Sequence, residues 1–382
     1  SDGHMADNFT FLLIDDDADL VDLLTLILED GGHQVRSEAS SGAFLGRIEA
    51  ERPDCVLVDI MMPGKDGFEL CADIRANPDL AATKVIVVSG KTYEFDRKRA
   101  LDLGSDGFIQ KPIDPASFVA QVEAILRDEI SLDFWGVRGT LPVPGERSVR
   151  YGGNTSCVTM EFNRGQFFIF DGGSGIKALS DHLMAGGRSR LDAKIFISHP
   201  HWDHINALPF FVPLYIPGNE FEILGTSHGD VTMRELISAQ MDGIYFPITM
   251  KGFASRVYFR DLKEERLEVA GISVKTMLLS HPGNCLGYRV DHGGRAICYV
   301  TDNELFLESD PAHNPEYVEK LIRFVHGCDV LITDTTYTDA EYESKVGWGH
   351  SAIGQVVELA HRAEVAALYL FHHDPDQDDK DI

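Results

Sequence analysis

Between residues 197 and 211 the chain reads ISHPHWDHINALPFF, which places His199, His201, Asp203 and His204 in a short stretch of an otherwise apolar run. Imidazoles and carboxylates are costly to bury unless they are paired, hydrogen-bonded or bound to metal. Alternate residues across a turn can aim two imidazoles at one ion and the next pair at a second. A lone His-x-His would suit a structural role, but few structural roles need four such groups so close together. More ligands are then expected downstream, after apolar strands. His281 follows VKTMLLS, Asp302 follows AICYVT and His372 follows ALYLF. Each alone could be a capping loop residue. Together they complete two metal sites sharing a carboxylate, with nitrogen and oxygen donors that suit Zn²⁺. Two such ions about 3.5–4 Å apart would share a water and lower its pKa enough for attack at neutral pH.

A second group sits near the start of the chain. Asp15, Asp16 and Asp17 follow one apolar run, Asp59 ends another, and Ser89 and Lys111 end two more. In a parallel α/β sheet the carboxyl ends of the strands converge on one edge, where ligands bind. Carboxylates gathered there repel one another unless a cation joins them, and hard oxygen donors suit Mg²⁺. Asp59 beside Mg²⁺ and an ammonium group is a plausible phosphoryl acceptor. Taken singly, the aspartate triplet would read as a helix N-cap with first-turn acids, Lys111 as a surface lysine and Phe108 as a core aromatic.

The elements that must hold these groups follow from apolar patterning. Residues 9–15 (FTFLLID), 55–60 (CVLVDI), 85–90 (VIVVSG) and 107–112 (GFIQKP) read as buried parallel strands, and residues 20–30 and 118–126 carry helical spacing. That alternation predicts a parallel sheet with helices on both faces. After Arg127 the texture turns rich in Gly, Pro and turn residues. The strand-like runs CVTMEF, QFFIFDGG, AKIFISH, ISVKTMLLSH, RAICYVTD and VLITDTTY then follow, with helical patterns between some of them. The expectation is two sheets covered by helices. The boundaries are set at a leader over 1–8, whose SDGHM start is taken as a cloning remnant, a first domain over 9–127, a short linker over 128–133 and a second domain over 134–382.

The totals agree with this division. A chain of 382 residues exceeds one ordinary core, and 44% hydrophobic with 25% charged residues describes a globular protein. The net charge of -27 argues against a broad nucleic-acid surface, since phosphate backbones reward clustered Lys and Arg. It does not exclude a small anionic substrate, because a metal can invert the local field. The six cysteines are scattered without a CxxC pair and are expected as buried, reduced thiols. No apolar run reaches the length of a membrane span and no signal peptide is visible, so a cytoplasmic protein is expected.

Residues 9–127 resemble the receiver domain of two-component response regulators, a flavodoxin-like (βα)5 fold. Asp15 and Asp16 stand at that family's acidic pair, and Asp59 in VDIMMPGKDG at its phosphorylated aspartate. Ser89 stands at its hydroxyl position, Phe108 at its switch aromatic and Lys111 at its Lys-Pro pair. The resemblance implies that Asp16, Asp59 and the backbone carbonyl of Met61 hold Mg²⁺. It also implies that a sensor histidine kinase or phosphotransfer protein supplies the phosphoryl group.

Residues 132–375 resemble the metallo-β-lactamase superfamily, an αββα fold. The resemblance makes His199, His201 and His281 the ligands of one zinc. Asp203, His204 and His372 serve the other and Asp302 bridges them, with manganese or iron as alternative metals. His373 is the rival of His372 for the last ligand. Asp171, in FIFDGGSGI, matches an element that supports the site. Asp302 stands where the founding lactamases usually have Cys, which makes β-lactam hydrolysis unexpected. WGHSAIGQVVELA resembles the phosphodiesterase branch that includes tRNase Z, and there the His of Gly-His-Ser contacts the scissile phosphate. That implies His350 as a transition-state contact or proton donor. Asp203 is counted with it among the catalytic residues, and the competing reading makes His350 the neighbour of an N-cap on a helix starting at Ser351. WGVRGTLPVPG and YGGNTSC also resemble openings in this branch, though their glycines could serve turns alone.

The expected function is a phosphorylation-regulated hydrolase acting on a small or cyclic phosphodiester. The segment between His204 and His281 is acidic to neutral and shows no basic, Gly-rich arm for gripping RNA, and extended nucleic acid and membranes are not expected partners. A tRNase Z-like nuclease and a non-catalytic binding module are the alternatives, and a homodimer is compatible with the reading. Tyr245 and Phe246 are expected as core aromatics rather than as a platform for a base.

Overall fold

The computed structural model describes residues 8–38, 44–62, 66–90, 94–188 and 190–382, and for residues 94 and 95 only the backbone. The chain divides into two units, Ser1–Ile130 with Phe162–Gly165 and Ser131–Glu161 with Gln166–Ile382.

The first unit holds β1 (Thr10–Ile14), β2 (Gln34–Glu38), β3 (Cys55–Asp59), β4 (Lys84–Ser89) and β5 (Gly107–Gln110), paired in the order β2-β1-β3-β4-β5. Every pairing is parallel. Successive strand residues point to opposite faces, so Leu12 and Ile14 join one apolar cluster while Phe11 and Leu13 join the other. Helices α1 (Ala18–Asp30), α2 (Phe44–Glu51), α3 (Gly67–Ala76), α4 (Glu94–Asp102) and α5 (Pro115–Leu126) follow the five strands in turn. Asp17 caps α1 by accepting from Leu20 N at 3.2 Å, and Leu24 and Leu28, one turn apart, bury its inner face. Asp114 caps α5, whose first residue is Pro115.

The second unit contains two six-stranded sheets. The first runs β11-β10-β9-β8-β7-β6, from β6 (Ile130–Gly136), β7 (Cys157–Phe162), β8 (Phe167–Phe170), β9 (Asp192–Phe196), β10 (Glu220–Thr226) and β11 (Arg256–Leu262). The second runs β12-β13-β14-β15-β16-β17, from β12 (Arg266–Val269), β13 (Ile272–Leu278), β14 (Leu286–His292), β15 (Arg295–Val300), β16 (Val330–Asp334) and β17 (Ala367–Phe371). Aromatic rings from both sheets meet between them. Phe170 stacks on Phe196 at 5.1 Å and lies 5.8 Å from Tyr288 and 5.4 Å from Tyr299. Outside, α6 (Gly175–Ala185) adds Ile176, Leu179 and Leu183 to the core of the first sheet. On the second sheet, α9 (Pro315–Val325) and α11 (Ile353–Arg362) add Leu321, Val325, Val356 and Leu359. The shorter α7 (Trp202–Ile205), α8 (Met233–Ala239) and α10 (Asp339–Tyr342) lie in connections. The layers therefore read α/β/β/α.

One expected boundary differs. Most of the segment expected as a linker, 128–133, is the start of β6 (Ile130–Gly136), whose residues alternate between half-buried and exposed until Phe134. It is an edge strand of the first sheet, and the chain enters the second unit at Ser131. The six cysteines are free and buried. No helix among the described residues is long and apolar enough to cross a membrane.

Candidate functional site

Loops leaving β9, β13, β15 and β17 converge at one edge of the sheet pair. After β9 the chain passes His199 and His201, then turns through the single-turn α7, which buries Asp203 and His204. His281 follows β13, Asp302 follows β15 and His372 follows β17. Asp302 and His372 adopt left-handed backbone angles, φ 44° and 61°, as does Asp171 at 62° after β8. Such conformations cost a non-glycine residue about 1–3 kcal/mol and persist where surroundings over-determine them.

The seven side chains form two groups whose donor atoms lie within 4.8 Å of one another. In the first, His201 Nδ1 lies 2.9 Å from His199 Nε2 and 3.2 Å from His281 Nε2. Asp302 Oδ2 lies 3.4 Å from His199 Nε2 and 3.6 Å from His281 Nε2. In the second, His204 Nε2 is 3.3 Å from His372 Nε2, and Asp203 Oδ2 lies 3.3 Å and 3.0 Å from those two nitrogens. Asp302 Oδ1 completes this group at 3.1 Å from His204 Nε2 and 3.2 Å from His372 Nε2. The two oxygens of one buried carboxylate thus serve two clusters.

The outer nitrogens explain why the inner ones bear lone pairs. His204 Nδ1 donates to Asp171 Oδ2 at 2.7 Å and His281 Nδ1 to the Gly349 carbonyl at 2.9 Å. Thr336 Oγ1 donates to Asp334 Oδ1 at 2.7 Å, which leaves its oxygen to accept from His372 Nδ1 at 3.1 Å. Ser198 Oγ donates to Asp171 Oδ2 at 2.8 Å and can accept from His199 Nδ1 at 3.1 Å. With their protons directed outward, the inner nitrogens face one another with nothing to share. That arrangement is repulsive without a cation between them. A tetrahedral ion with bonds of about 2.0–2.1 Å would hold its ligands about 3.3 Å apart, the spacing found here. The donor set therefore fits divalent metal.

Electrostatics divide the histidines. Burial pushes His199 down to about 3, and burial likewise lowers His201 and His281, which favours their neutral, lone-pair-bearing forms. Burial also opposes charge on His204, but the carboxylates of Asp302, Asp203 and Asp171 around it raise it well above the usual imidazole range. Burial opposes ionisation of Asp302 and Asp203, but the imidazoles around them outweigh it and hold both carboxyls below the usual range.

His350 sits at the edge of this cluster. Its ring stacks on His372 at 4.8 Å and lies 5.4 Å from that of His281. Its Nδ1 donates to Asp334 Oδ2 at 2.7 Å. Burial disfavours its charge, but Asp334, aided by Asp302 and Asp203, pushes it up to about 9. The helix after it begins at Ile353, with Ala352 at the cap position, so Ser351 does not start the helix. Ser351 instead accepts from Leu305 N at 3.0 Å and clips the chain that follows Asp302. His373 joins no metal-competent group among the described residues, and its backbone N–H donates to the Val137 carbonyl at 3.0 Å.

Several residues of the site carried no separate expectation. Asp334, at the end of β16, orients His350, and the available signal was the one used for Asp302, a lone aspartate ending an apolar strand. Glu304 is buried and accepts from Gly347 N and Gly349 N, each at 2.7 Å, fixing the segment before His350. Thr140 N donates to Asp203 Oδ2 at 2.8 Å. Beside it, a Cβ on Gly139 would meet the His372 ring at 2.2 Å, so the glycine of WGVRGT makes room for a ligand. Tyr245 is not a core aromatic: it is 82% exposed in a turn between α8 and β11, while Phe246 is half-buried against Phe210 at 5.3 Å.

In the first unit, Asp15 and Asp59 are buried at the strand ends and Asp16 is exposed beside them. The three offer oxygens close enough for one cation, and hard oxygens suit Mg²⁺. Lys111 Nζ lies 2.9 Å from Asp15 Oδ2 and 3.3 Å from Asp59 Oδ2. Burial raises the Asp59 carboxyl above its ordinary value, against the pull of Lys111. Asp17 leaves the cluster to cap α1. Ser89 is buried at the end of β4, Met61 is exposed, and Phe108 is half-buried on β5.

Comparison with known proteins follows this division. The response regulator receiver domain matches residues 11–123, and the β-lactamase superfamily domain matches residues 177–373. The transcriptional regulatory protein GltR of Pseudomonas aeruginosa is 35% identical over 134 residues, which is 35% of this chain and 54% of GltR, so the chain spans about half that relative's length. The DNA-binding response regulator MtrA of Mycobacterium leprae is 31% identical over 155 residues, 40% of this chain and 68% of MtrA. Among solved structures, the metallo-β-lactamase fold protein YhfI of Bacillus subtilis aligns with 65% of this chain and 87% of its own, at 18% identity and a TM-score of 0.47. The chain belongs to the β-lactamase superfamily and carries a response regulator receiver domain ahead of that hydrolase fold.

Proposed function

We propose that the second domain is a metal-dependent phosphodiesterase with two zinc ions, acting on a small or cyclic phosphodiester, and that phosphorylation of the receiver on Asp59 regulates it. The observation that carries this reading is a bridged double donor set with a histidine at its edge anchored to a buried carboxylate. When bound, the ions would polarise a phosphoryl oxygen and lower the pKa of a water. The chain's own groups do the rest. His199, His201 and His281 form one cradle, Asp203, His204 and His372 the other, and Asp302 spans both. Thr140 N–H holds Asp203 in place. His350, anchored through Nδ1 to Asp334, keeps its Nε2–H for the substrate. As a hydroxide oxygen drawn from that water bonds to phosphorus and the bond to the leaving oxygen breaks, that proton would pass to the leaving oxygen, and Asp334 steadies the imidazolium beforehand. A preorganised donor of this kind contributes about 3–4 kcal/mol to the barrier. The net charge of -27 favours a small diester over a long polyanion, whose backbone the surface repels.

On the receiver, Asp59 would attack the phosphorus of a phosphohistidine on a sensor kinase or phosphotransfer protein. It would form an acyl phosphate with Mg²⁺ at Asp16, Asp59 and the Met61 carbonyl, while Asp15 and Lys111 complete the pocket. Ser89 and Phe108 would respond to the added charge. We place the domains at 9–127 and 131–382, in the cytoplasm. Wild-type protein should hydrolyse bis(4-nitrophenyl) phosphate faster than an aryl thioester or a lactone, and Asp302→Ala should abolish that turnover without unfolding. Normal turnover in Asp302→Ala, or preference for the lactone or thioester, overturns the proposal. Identical kinetics with and without a beryllofluoride phosphoryl mimic would sink the regulatory part.

A further inference from the structure

A cavity of about 520 Å³ opens in the second unit among α8, the turn at Met250–Gly252 and β11. It shares none of the seven donors of the metal cluster. Ligand pockets typically enclose about 300–1,000 Å³. Its wall is apolar where Met241, Phe253 and Phe259 line it, and its rim carries two cations, Arg234 and Lys251. Arg234 and Ser238 stand one helical turn apart on α8 and so face the cavity together. The Arg234 guanidinium lies over the Phe259 ring at 5.4 Å from its centre, which fixes the charge against an aromatic face.

The carboxylates nearby in sequence are already engaged. Glu235 accepts from Thr232 N at 2.8 Å in the capping box of α8, and Asp261 accepts from Met233 N at 2.7 Å. Among the described residues, neither Arg234 nor Lys251 has a carboxylate partner. Acidic residues outnumber basic ones 61 to 34 in this chain, so two cations at one cavity, neither paired with an acid, are free to meet an incoming anion. A guanidinium fork matches the oxygens of a carboxylate, phosphate or sulfonate, while Phe253 and Phe259 offer ring faces and edges. We propose that this cavity binds a small aromatic anion, with its charge on Arg234 and Lys251 and its ring on Phe253 and Phe259.

The test uses the full, metal-loaded chain and two probes of nearly the same shape: 8-anilinonaphthalene-1-sulfonate and its uncharged counterpart N-phenyl-1-naphthylamine. Calorimetric titration should find a site for the sulfonate that binds it at least tenfold more tightly than the neutral probe. In R234E/K251E that affinity should fall tenfold or more, and in R234A by a smaller factor of at least three. Both side chains are exposed, so circular dichroism and melting should match the wild type. Smaller losses in the double variant, or a neutral probe bound as tightly as the sulfonate, would overturn the assignment.

Discussion

The two units gather carboxylates at the same topological place, the carboxyl ends of strands, yet treat them differently. In the receiver, Asp15 and Asp59 are met by a lysine, and Asp16 is left exposed. The pocket is half open, and none of Asp15, Asp16, Asp59 and Lys111 takes a left-handed angle. In the hydrolase fold, Asp203 and Asp302 are met by imidazoles, whose outer nitrogens rest on further acceptors. Four residues there, Thr140, Asp171, Asp302 and His372, hold left-handed angles. On the proposed reading, a site that takes up and releases a phosphoryl group needs a soft surround. A site that must hold cations at fixed spacing needs its ligands over-determined.

The comparison can be broken at several points. Asp302→Ala removes the carboxylate common to both clusters, and bound metal should fall from two ions to at most one, with diester turnover at least about a thousandfold lower, by elemental analysis and a chromogenic assay. His350→Ala should keep the metal yet lose about a hundred- to a thousandfold in kcat, the scale of one preorganised donor. Asp171→Ala leaves Ser198 N and Oγ, Tyr299 OH and His204 Nδ1 without their shared acceptor. Stability should drop by about 3 kcal/mol and metal affinity about ten- to a hundredfold, read by melting and metal competition. Lys111→Ala, by contrast, removes one half-buried ammonium and no hydrogen-bond network, and should cost less stability than Asp171→Ala while slowing or uncoupling acetyl-phosphate labelling of Asp59. If Asp171→Ala proved as mild as Lys111→Ala, the contrast between over-determined and soft sites would fail.

The donors themselves were legible because their chemistry is written locally: four in one turn, and three more at the ends of apolar strands. The fold class was legible for the same reason, since buried parallel strands read as continuous apolar runs. The supporting residues were not. Asp334 looks like any strand-ending aspartate, and only the long-range approach of His350 gives it a role. Glu304 and Thr140 act through backbone N–H groups distant in sequence or through their own backbone, and no residue-type pattern reports that. The strand over Ile130–Gly136 hid in a segment expected to join domains, because its apolar residues alternate at an edge rather than run continuously. Tyr245 was misplaced for a related reason: IYFPI is apolar enough to suggest core, though Gly243 before it and Pro247 within it mark a turn.

The central claim is that one carboxylate divides its oxygens between two cations, and anomalous X-ray diffraction at the zinc edge on zinc-loaded crystals tests it most directly. Two peaks are expected, about 3.5–4 Å apart, one beside His199, His201 and His281 and the other beside Asp203, His204 and His372, with Asp302 between them. A single peak, or zinc bound elsewhere while these seven side chains stay bare, would contradict it.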